Sequence, residues 1–84
     1  MPTLSSFYGI IIKMYFQQSE HNPPHFHAIY GEYTGSINIK TGELIEGDLP
    51  ERALKLIKEW LEIHQSELLE IWNTQNFKKI SPLT

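Results

Sequence analysis

Three of the chain's four histidines fall in the run His21-Asn22-Pro23-Pro24-His25-Phe26-His27. Imidazole has an ordinary pKa of about 6.5, close to neutrality, and its neutral form is a common metal ligand. Two chemistries follow. On alternate positions of a strand, His25 and His27 project to one side. His21 can approach across the rigid prolines, and Glu20 or Glu32 can add an oxygen, so that His21, His25 and His27 form a candidate site for a divalent metal. No other cofactor is expected. Without a metal, His21, His25 and His27 together with Tyr30 and Lys13 are candidate catalytic residues for proton transfer, in a hydrolase or a metal-independent ribonuclease. A plainer reading has His21 and Asn22 bonding the Pro-Pro turn, with His25 and His27 anchoring a strand end on backbone carbonyls.

Composition narrows the partners. The chain has 84 residues, 40% hydrophobic and 20% charged, the profile of one globular domain with a thin core. Seven Lys and Arg against ten Asp and Glu give a net charge of −3, the wrong sign for holding nucleic acid by summed positive field. A local patch of Lys13, Lys40, Lys78 and Lys79 would give a ribonuclease its attraction for RNA, and a single-stranded nucleic-acid face of Tyr15, Lys13 and the imidazoles is the second alternative. The absence of cysteine removes disulfides and thiolate zinc sites. No basic cluster precedes an apolar run at the N-terminus, and Lys13 interrupts Ile10-Ile11-Ile12 long before a membrane span is reached. Neither secretion nor membrane insertion is expected, and the expected location is the cytoplasm. Protonating four histidines would take the formal charge from −3 to +1 (−3 + 4), so solubility should depend on pH below neutrality.

The elements that must position these residues are read from periodicity. Residues 7–16, FYGIIIKMYF, are rich in β-branched and aromatic types, with Tyr8, Ile10, Ile12, Met14 and Phe16 forming one apolar alternating set. That is a first strand. The prolines hold the next segment extended. Strands follow at about 25–30, 33–40 and 43–46, separated by Gly31-Glu32 and Thr41-Gly42 turns. From Asp48 the period becomes helical, with Asp48 as cap, Pro50 in the first turn and Glu51 at the capping-box position. Ala53, Ile57, Trp60, His64, Leu68 and Ile71 keep one stripe in phase, predicting a single helix over about 49–75 and a tail over 76–84. Glu51 with Lys55, Lys55 with Glu59, and Lys58 with Glu62 suit a solvated face. The fold class is therefore α+β, a three- or four-stranded antiparallel β-meander packed on one long C-terminal α-helix.

One helix covers one face of a sheet. Phe26, Ala28 and Tyr30 are the more apolar set of their strand and belong under it, which sends His25 and His27 to the other face. That second face would carry Phe7, Ile11, Tyr15 and Ile29, more apolar surface than water usually meets. Leu56 and Ile63 flank the helical stripe and are covered either by a tail containing Phe77, Ile80 and Leu83 or by a partner. Ile11, Tyr15, Ile29, Leu56 and Ile63 are accordingly the candidate partner-binding residues. His64 reads as a hydrogen-bonded core histidine.

The segments PTLSSFYGIIIKMYF, HNPPHFHAIYGEY and LPERALKLIKEW together resemble a small prokaryotic family labelled domain of unknown function four-one-six-zero. The resemblance spans nearly the whole chain and is most specific from Asn22 to Ala28 and at Tyr30, Gly31, Glu32 and Tyr33, with no departure there. The label assigns no activity. What the resemblance implies is context: members tend to be encoded beside a second small protein, an arrangement similar to toxin-antitoxin pairs. The expected function is a protein-interaction module in such a pair, binding a small protein encoded nearby or forming a homo-oligomer, and the histidine-dependent hydrolase is the alternative.

Overall fold

The computed structural model describes residues 3–14 and 23–83. Five strands, β1 (Thr3–Phe7), β2 (Ile10–Lys13), β3 (His25–Tyr30), β4 (Tyr33–Asn38) and β5 (Leu44–Asp48), precede one helix, α1 (Glu51–Thr74). The strands pair in sequence order, each antiparallel to the next, so the α+β meander holds with five strands where three or four are expected.

The additional strand arises from a hairpin that the apolar run conceals. Tyr8 and Gly9 have φ of 49° and 81°, and two successive positive φ values form the hairpin turn that matches strand twist. Thr3–Phe7 can then pair back on Ile10–Lys13. Tyr8 consequently sits exposed in the turn and does not join Ile10, Ile12 and Met14 in the core. Phe7, expected on the second face, pairs with Ile10 and is buried on the helix side instead.

The core lies between the sheet and α1. Ile10, Ile12, Met14, Phe26, Ala28, Ile37 and Ile39 meet Ala53, Ile57, Trp60, Leu68 and Ile71 in one buried cluster. Trp60 is central, with Phe7 stacked at 5.5 Å and Phe26 edge-on at 5.7 Å between ring centroids. Burying such side chains contributes about 2 kcal/mol each, which is what fixes the register and therefore the faces.

The helix ends differ from their sequence signals. Asp48 pairs with Thr34 as the last residue of β5 and does not cap. The N-cap is Pro50, in extended backbone at φ −60° and ψ 150°, with no side-chain cap bond; its carbonyl accepts from Leu54 N at 3.0 Å. At the other end Gln75, at φ 57°, donates its N–H to Ile71 O and turns the chain back. The tail then folds over the core: Ile80 is buried, Phe77 and Leu83 are half-buried, and Trp60 Nε1 donates to Ser81 O at 2.9 Å. Leu56 is half-buried against the core, whereas Ile63 remains 64% exposed. Gln65 Nε2 donates to Ile39 O and Lys40 O, tying the middle of α1 to the end of β4. Among the described residues no helix is long and apolar enough to cross a membrane.

Candidate functional site: the outer face of the sheet

Cross-strand partners share a face, so the pairing register writes out what the sheet presents away from α1. One row runs Ser6, Ile11, Ile29, Thr34 and Asp48 across all five strands. Beside it runs a polar row, Lys13, His27, Ser36 and Glu46, from β2 to β5. His25, paired with Asn38, begins a third. Ile11, Ile29, Lys13, His25 and His27 are half-buried, Ser36 is buried, and Thr34, Glu46 and Asp48 are exposed.

His27 is the most constrained of these groups. Its Nδ1 lies 3.3 Å from Ser36 Oγ in a hydrogen bond. Burial holds its pKa below the ordinary 6.5, the neighbouring His25 pushes it the same way, and Glu46 acts in opposition. The imidazole is therefore neutral at pH 7 and able to accept a proton. His25 is anchored differently: its Nδ1 donates to Pro23 O at 2.8 Å, which leaves Nε2 as the nitrogen available to an outside group. The two imidazoles meet edge-on at 5.2 Å, and the His25 ring also lies 5.0 Å from that of Trp72. Both imidazoles thus start from the outer face, and His25, first in its strand, also reaches Trp72 at the end of α1. Two shallow recesses flank the pair, one lined by Pro23, His25, Ser36, Ile45 and Glu46, the other by His27, Thr34, Gly35, Ser36, Glu46 and Gly47. Ser36 and Glu46 belong to both.

Of the sequence-predicted site, the register brings together His25, His27 and Lys13 on one face and pairs Ile11 with Ile29. Tyr30 is not brought to them, because it pairs with Ile10 and packs against the core on the helix side. His21, Glu20, Tyr15 and Phe16 lie outside the described residues. Glu32 is in the turn after β3, at the far end of that strand from His25. Among the described residues no three His, Asp or Glu side chains are grouped to hold a metal ion. Lys40 lines a recess beside Lys58 and Gln65, and Lys79 lines another beside Ser5 and Thr3, the cross-strand partner of Lys13. His64 is buried on α1, its Nδ1 donating to Glu67 Oε1 at 2.8 Å and its ring 5.4 Å from that of Trp60.

Sequence reasoning missed Ser36, Glu46 and Trp72. Ser36 and Glu46 reach His27 only through the pairing of three strands, a long-range relation that a local spacing does not encode. Trp72 adjoins Ile71 on the predicted stripe, and its large ring was the available signal.

No curated protein and no solved structure matches the chain. The family model described as Domain of unknown function (DUF4160) matches residues 9–73, taking in β2 to β5 and all but the last residue of α1. The resemblance noted in the sequence is therefore membership: the chain belongs to the DUF4160 family.

Proposed function

We propose that the protein is an interaction module that docks a second small protein on the outer face of its sheet. The observation carrying this reading is the Ile11 and Ile29 pair, set on a face that α1 leaves open. Half-buried isoleucines supply apolar area, and the adjacent row of Lys13, His27, Ser36 and Glu46 supplies polar groups that discriminate among partners, the usual division of labour at an interface. Pairing with a small protein encoded nearby, as in a toxin-antitoxin-like system in the cytoplasm, accords with what the family resemblance implies. Co-expression with that protein should give a complex on size exclusion, and Ile29→Glu should abolish it while leaving the circular dichroism spectrum unchanged. A monomeric elution of both proteins would overturn the reading.

One observation favours a second reading. A neutral His27 bonded to the Ser36 hydroxyl is a proton acceptor beside a potential nucleophile, the pairing used in hydrolysis. If His27→Ala and Ser36→Ala leave RNA and ester cleavage at the level of the wild-type chain, hydrolysis is excluded.

A further inference from the structure

The two edges of the sheet are treated differently. On β1 the tail answers the edge, with Ile80 N donating to Leu4 O at 2.7 Å. β5 pairs only with β4, and among the described residues no backbone group bonds its outer side. Its residues are exposed from Ile45 to Asp48. An extended edge with unpaired N–H and C=O groups is a template for a further strand.

Charge decides which strand. Residues 41–51 carry four carboxylates, Glu43, Glu46, Asp48 and Glu51, and no lysine, arginine or histidine. A second copy adding β5 to β5 would bring Glu46 and Asp48 against their own counterparts, and like charges across a strand pair oppose it. The register shift in the β4 and β5 pairing and the positive φ of Gly47, 92°, further restrict the geometry of addition. The carboxylates select against a like-charged strand and for a cationic one, and the register shift and Gly47 limit the backbone groups it can reach.

We propose that β5 is a strand-addition site for an extended cationic segment of a partner protein. The added strand bonds the outer backbone of β5 and sets Lys or Arg at alternate positions against Glu46 and Asp48. These two acids pair with Ser36 and Thr34 and so lie on the docking face proposed above. Ile45, 47% exposed, offers an apolar contact on the same edge. The inference rests on the interaction reading and extends it to the chemistry of the partner.

The test uses a labelled, blocked peptide alternating Lys and Thr, titrated into the full chain at low salt and followed by anisotropy and by amide shifts. Saturable binding that weakens with salt, with shifts concentrated at residues 44–48, is expected. The Glu46→Lys, Asp48→Lys double variant should weaken it about tenfold or more. The same peptide N-methylated on alternate residues, made in both phases, should lose binding in one phase because that edge can no longer donate. Equal binding of both methylated peptides, binding that survives the double variant, or no binding at all would overturn strand addition. Ile29→Glu separates the two proposals: it should break the small-protein complex and leave peptide binding intact. A complex that survives when the peptide fails removes the edge inference alone.

Discussion

At the scale of single residues, His27 carries the most testable chemistry. Its pKa lies below 6.5 in the folded chain, with burial the leading cause. Proton-detected titration should find that His25→Ala raises it, by removing a like charge, and that Glu46→Gln lowers it further, by removing the opposing carboxylate. The sign of the stability effect follows. Below 6.5 the unfolded chain takes the proton first, so the contribution of His27 is intact above that value and is lost as pH falls through the folded pKa. Urea midpoints measured from pH 7.5 downward should decline less in His27→Gln than in the wild type; equal declines would remove His27 as the cause. Ser5 makes an opposite case. Its hydroxyl is buried with no hydrogen-bond partner among the described residues, so Ser5→Ala should raise stability by up to about 1 kcal/mol in the same assay. The alternation of His25 and His27 was legible because strand parity is local. Ser36 and Glu46 were not, because their place beside His27 depends on which strand pairs with which.

At the scale of elements, the turns decide what the apolar pattern leaves open. FYGIIIKMYF reads as one strand by alternation, yet Tyr8 and Gly9 both adopt positive φ and fold it into a hairpin. Tyrosine seldom accepts that conformation, so the usual turn signal was absent and the β1 strand was missed. Asp48 shows the converse: a good cap residue by type was claimed by pairing with Thr34. The helix itself was legible because its stripe keeps phase for many turns, with Ala53, Ile57, Trp60, His64, Leu68 and Ile71 all buried. Gly47 is where element geometry is least tolerant. It holds φ 92°, and a Cβ there would lie 2.3 Å from Thr34 O and 2.7 Å from Gly35 Cα. Gly47→Ala should therefore cost about 2 kcal/mol or more by urea unfolding, since neither backbone atom can yield without breaking the β4 and β5 pairing. A loss below half of that would mean that the bulge relaxes freely.

At the scale of the whole molecule, one helix and a tail cover one side of a five-stranded sheet, and among the described residues no helix covers the other. The hydrophobic cluster sets this division: Trp60 and its neighbours hold Phe7, Phe26 and Ala28 inward, and parity then turns Ile11, His27 and Ile29 outward. Moving Phe7 into the core makes the outer face less apolar than the sequence implies, so its apolar content among the described residues rests on the Ile11 and Ile29 pair beside a polar row, with Ile45 at the β5 edge. Isoleucine methyl NMR on the labelled chain, recorded as the proposed small partner protein is added, tests the proposed docking face most directly. The Ile11 and Ile29 methyl signals should move and those of Ile57 and Ile63 should stay. Shifts at Ile63 on the helix, with Ile11 and Ile29 unmoved, would contradict it.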